Sequence, residues 1–146
     1  MTSFRQQLWV VFKLWIIAVA INTIAGTIIL TNTPAFQHDA DLLLIFGTLY
    51  GAIYAFPVAL VLLLVINACC RYIITGMWLF WIVLISGSLC TIATFLVFAF
   101  TMGSEFHELY LLFISAFLSC TFAVASQYKP LHRMGSEHAH AEDFSF

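Results

Sequence analysis

Between Leu14 and Tyr128 the chain carries four long apolar runs that are almost free of charge, and every Lys and Arg falls on one side of the alternation they imply. A run of about 20 apolar residues is long enough to cross the hydrocarbon core of a bilayer as a helix. In lipid a backbone must satisfy its own hydrogen bonds, and a helix does so within one segment. The expected fold is therefore all-α: an integral membrane bundle of four transmembrane helices. The spans are placed at about 8–30, 42–69, 76–100 and 108–127, followed by a polar, flexible cytoplasmic tail over 129–146.

Composition supports this reading. Of 146 residues, 63% are hydrophobic and only 8% charged, against about 25% charged in a soluble domain. So few charges cannot solvate a globule of this size, and the lipid bilayer is the partner the composition demands. The formal net charge is −2. With no basic patch to neutralise phosphates, nucleic acid is not an expected partner.

Orientation comes from the basic residues. Arg5 and Lys13 precede or open the first span, Arg71 closes the second, and Lys129 and Arg133 follow the fourth. The intervening loops hold only Asp39, Asp41, Glu105 and Glu108. Both termini are accordingly expected in the cytoplasm. Trp9, Trp15, Trp78 and Trp81 fall toward the same side, where an interfacial belt belongs. Ala18-Val19-Ala20 mimics a signal-peptide cleavage site, but the apolar run continues to Leu30, so the first segment reads as an uncleaved helix. The simplest location is a bacterial inner membrane.

Punctuation agrees with the spans. Thr31-Asn32-Thr33-Pro34 ends the first, Met102-Gly103-Ser104-Glu105 the third, and Lys129-Pro130 the fourth. Pro57 lies in the middle of the second, where it removes a backbone hydrogen bond and is expected to kink the helix. Thr48 and Tyr54 are near enough in sequence to re-satisfy the freed groups.

Lipid tails are as apolar as Leu, so helices associate through close packing and interhelical hydrogen bonds. Small and polar residues recur at four-residue spacing in each span, which places them on one helix face. The sets are Ala18, Asn22 and Gly26; Gly47, Gly51, Ala55 and Ala59; Ser86, Cys90 and Thr94; and Ser115 and Ser119, with Ala123 beyond. They form the expected helix-packing face, and a partner-binding face is the functional alternative. Asn22, mid-span on this face, is expected to fix helix pairing by a hydrogen bond.

Chemistry is scarce. No Asp, Glu, Lys, Arg or His sits near the middle of a span, which argues against proton relays, ion coupling and voltage sensing. The mid-span serines lack a His or Asp in the same layer, so an enzyme is not expected, and no cofactor is implied. The four cysteines, Cys69, Cys70, Cys90 and Cys120, lack the two-residue spacing of a redox motif and read as small packing residues. The outer loops gather His38, Asp41, Glu105 and His107, a donor set that suits a divalent metal, although ordinary solvated loops explain it as well. His132, His138 and His140 in the tail offer only a weak metal-binding pattern.

Pore-toxin immunity proteins and small subunits of respiratory or secretory complexes are similar in size and span number, a likeness of topology alone. The leading expectation is a small non-catalytic membrane protein acting through helix–helix contacts as an accessory or assembly subunit, with other membrane subunits or itself as partner. The alternatives are a channel or carrier for a neutral or lipophilic solute, and an immunity protein against a pore-forming toxin.

Overall fold

The computed structural model describes residues 4–32, 40–72, 76–102 and 106–133. Four helices follow in order: α1, Phe4–Thr31; α2, Ala40–Arg71; α3, Gly76–Met102; and α4, Phe106–Ser126. No strand occurs among the described residues. Three of the helices are long and apolar enough to cross a membrane, and α4 carries a shorter apolar stretch over Tyr110–Ser126. At 1.5 Å per residue, even the 21 residues of α4 extend about 31 Å, close to the hydrocarbon thickness of a bilayer. The protein is an integral membrane four-helix bundle.

The packed pairs are α1–α2, α2–α3, α3–α4 and α4–α1. Each helix thus lies beside its chain neighbour, and the last closes on the first. Short connections force such neighbours to run antiparallel. Outward faces are large and apolar on every helix: Ile24 and Ile28 on α1, Ile45 and Leu64 on α2, Leu89 and Phe100 on α3, and Leu118 and Phe122 on α4 are all exposed. In lipid that exposure costs nothing.

Packing is uneven along the bundle. One cluster joins Val10, Val11 and Leu14 of α1 to Leu62, Ile66, Cys69 and Cys70 of α2, Leu79 and Val83 of α3, Ala123 and Val124 of α4, and Leu131. All of these lie at the end that also carries Arg5, Arg71, Lys129 and Arg133. At the other end α2 contributes little: no side chain from residue 41 to 61 is buried. The bundle is tight at its basic end and loose beyond it.

The stretch after α4 differs from a simple polar tail. Gln127 forms a turn, and residues 128–133 are helical again, with the Leu131 amide donating to the Gln127 carbonyl at 3.0 Å. Pro130 fits because a helix's first turn has no internal acceptor for its N–H groups. The reason for the extra turn is Leu131, which is 0% exposed and plugs the tight end. Gly76 lets the plug close. A Cβ built there would strike the His132 carbonyl oxygen and stand 2.9 Å from its carbon. Tyr128 seals the same contact, stacking edge-on against Phe80 with centroids 5.1 Å apart. Residues 134–146, including His138 and His140, lie outside the described residues.

Pro57 lies inside α2, which is helical on both sides of it. The carbonyl that loses its donor there is that of Ile53. Thr48 does not serve it, because its hydroxyl donates to the Leu44 carbonyl at 2.7 Å.

The glycines predict a contrast in stability. Gly76→Ala should lower stability by about 2 kcal/mol through the forced shift of the plug. Gly47→Ala, whose Cβ would meet Thr23 Cγ2 at an ordinary 3.6 Å, should be neutral or raise stability by about 0.5 kcal/mol through helix propensity. Thermal unfolding of the two variants in one detergent checks this, and equal midpoints would contradict the plug.

Candidate functional site

A partly open cavity of about 270 Å³ lies among the helices, lined by residues of all four, from Val11, Leu14, Leu62 and Val124 of the packed cluster to Leu30 and Leu43 beyond it. It exceeds the roughly 150 Å³ that holds a benzene molecule in an engineered apolar core. Its existence follows from the sequence of α2. Gly47, Gly51, Ala55 and Ala59 present almost no side chain, and all four line the cavity. The two glycines lean on α1: a Cβ at Gly47 would meet Thr23 at 3.6 Å, and one at Gly51 would meet Thr23 at 3.8 Å and Val19 at 3.9 Å. The seam is close along this line, and volume is missing beside it.

Of the small-residue sets, Ala18, Asn22 and Gly26 on α1, Thr94 on α3 and Ser119 on α4 also face the cavity. Ser86 and Cys90 are half-buried and lie outside its walls. Ser115 is buried and serves a different purpose. Its hydroxyl donates to Asn22 Oδ1 at 3.2 Å, tying α4 to α1, while Ser119 donates to the Ser115 carbonyl at 2.7 Å.

Several wall residues fall off the four-residue stripes. Thr23 is the most informative. It is 7% exposed, it lines the cavity, and its Oγ1 has no hydrogen-bond partner. A threonine in an apolar helix ordinarily donates to the carbonyl four residues earlier. Thr31, Thr91 and Thr121 do so, to Thr27, Gly87 and Phe117. A buried hydroxyl left without a partner costs about 1–3 kcal/mol. Trp15, also in the wall, likewise buries an indole Nε1 without a partner. Thr23 and Thr27 form a row one residue displaced from Asn22 and Gly26. Two threonines spaced by four, just after a mid-span Asn, mark this row in the sequence, but not the missing acceptor.

The electrostatics are simple. Among the described residues no Asp, Glu, Lys, Arg or His lines the cavity. A charged guest would be left uncompensated, at a cost of several kcal/mol. The walls are mainly apolar, and their polar groups include Thr23, Tyr50, Tyr54 and Asn22.

Of the metal candidates, His38 and Glu105 lie outside the described residues, as does the side chain of His107. Asp41 is exposed in the first turn of α2. Among the described residues no group of three or more metal-binding side chains converges. No protein-family model matches this chain, and comparison with curated proteins and with solved structures found no match.

The Asn22–Ser115 bond predicts a measurable coupling. In a double-mutant cycle of Asn22→Ala and Ser115→Ala, the two should couple by about 0.6 kcal/mol, the usual worth of such a bond between membrane helices. Additive effects on unfolding in bicelles would contradict the bond.

Proposed function

We propose that the protein is a non-catalytic membrane protein that binds a neutral, largely apolar solute inside its bundle, as a carrier or a holding site. The observation that supports this is the Thr23 hydroxyl, buried and unpartnered in the wall of an uncharged cavity. A core evolved for packing alone would let Thr23 donate to the carbonyl one turn back, or would replace it with valine. A guest carrying a carbonyl or ether oxygen removes the penalty.

The accessory-subunit reading rests on the small-residue stripes, the absence of charge within the spans and the small mass outside the bilayer. Within those stripes, Gly47 and Gly51 face Thr23 and Val19 of the same chain. We place the basic end in the cytoplasm, since short cytoplasmic segments favour Lys and Arg.

Photolabelling with an uncharged hydrophobic diazirine in nanodiscs tests the reading. Labelling of the α1 and α2 walls should saturate and be competed by the unlabelled parent compound, whereas lipid-facing residues label linearly. Ala55→Leu, in the cavity wall, adds volume there and should weaken saturable labelling at least tenfold, about 1.4 kcal/mol. Thr23→Val keeps the volume, removes the hydroxyl and should weaken it about fivefold. Labelling that never saturates, or that ignores both substitutions while the thermal midpoint holds, would overturn the proposal.

A further inference from the structure

The threonines of the described helices fall into two groups. Thr31, Thr48, Thr91, Thr101 and Thr121 each donate to a carbonyl of their own helix, three or four residues back. Thr23, Thr27 and Thr94 do not: among the described residues their hydroxyls make no hydrogen bond. All three line the interior cavity. Facing the cavity does not by itself prevent the bond, because Thr91 lines it too and still donates to the Gly87 carbonyl at 2.8 Å. A threonine in an apolar helix ordinarily makes that bond. Its absence at these positions leaves their hydroxyls for whatever the cavity holds.

These hydroxyls come from opposite walls. α1 and α3 each pack on α2 and on α4, so they face each other across the bundle. Both start at the basic end: Arg5 stands in the first turn of α1, and Gly76, the first residue of α3, packs against the His132 backbone. Thr23 is nineteen residues on from Phe4, and Thr94 eighteen on from Gly76, which puts them about 28 Å and about 27 Å along their helices. They lie at nearly the same depth on facing helices. Asn22 adds to the α1 side. Its Oδ1 is engaged by Ser115, so its N–H groups are what the amide has left to offer. The cavity thus presents donors from two facing walls, between surfaces that are otherwise mainly apolar.

We propose that the guest is a lipophilic dicarbonyl of the para-quinone type, with one carbonyl oxygen accepting from Thr23 and the other from Thr94. This deepens the solute-binding reading above and rests on it. A carbonyl oxygen accepts and does not donate. Two of them answer two donor walls without carrying a further donor into an apolar space, where it would cost free energy unless paired. A six-membered ring with carbonyls at opposite ends points them in opposite directions and has no internal freedom to lose on binding. The cavity is partly open, so an alkyl tail on the ring can run out into the bilayer.

The test uses the full chain in nanodiscs and the saturable photolabelling described above, with three unlabelled competitors of one shape. These are a fully methylated decyl para-benzoquinone, the cyclohexadienone that keeps one carbonyl, and the arene that keeps none. Full substitution of the ring prevents addition of the Cys120 thiol, which also lines the cavity. Each hydrogen bond should improve competition about fivefold, so the dienone should exceed the arene about fivefold and the quinone should exceed it about 25-fold. Thr94→Val should bring the quinone down to the level of the dienone and leave the dienone unchanged, and Thr94→Ser should restore the difference. If none of the three competes saturably, the solute-binding reading falls and the dicarbonyl assignment with it. If the dienone competes as well as the quinone in the native chain, that reading stands and the dicarbonyl assignment is overturned. A quinone advantage that survives Thr94→Val at an unchanged thermal midpoint overturns it as well.

Discussion

The contact between the glycine face of α2 and Val19 and Thr23 of α1 governs the rest of the structure. In lipid there is no hydrophobic gain from bringing two apolar helices together, so the gain must come from close backbone approach. Gly47 and Gly51 permit that approach. The same missing side chains leave the bundle axis unfilled, because a residue small enough to let a neighbour in is too small to fill the space beside it. Cohesion and cavity thus arise from one choice of residues.

A membrane bundle that is hollow along part of its length needs another part that is not. The basic end supplies it. Ile66, Leu79, Val83, Val124 and Leu131 are essentially inaccessible there. The chain turns back after Gln127 to seat Leu131, with Gly76 giving way to the His132 backbone. This end adds large buried side chains to the packing, while farther along α2 rests on α1 through the glycine seam.

The fold was legible because its signals are strong and local. Four apolar runs, terminal turn residues and basic residues confined to alternate connections specify a bundle with little ambiguity. Asn22 and Ser115 were both legible as interior polar positions, since a stripe of period four picks them out. Ser86 and Cys90 belong to the same pattern but lie off the cavity, because a stripe gives a face and not the depth at which neighbours stop touching. Thr23 and Trp15 were not legible as site residues. Nothing in a sequence reveals that a hydroxyl or an indole N–H has no acceptor within reach; that is a property of the assembled helices. Leu131 was hidden for a different reason. Lys129 and Pro130 signal the end of a helix, and only the Gly76 contact makes a further turn worth forming.

The most direct measurement is an experimental density map of the protein in a nanodisc, at a resolution that places water-sized features between the helices. The account predicts non-protein density in the α1–α2–α3–α4 cavity, within hydrogen-bonding distance of Thr23 Oγ1. A closed bundle in which Thr23 donates to the Val19 carbonyl, and α2 fills the space, would contradict it.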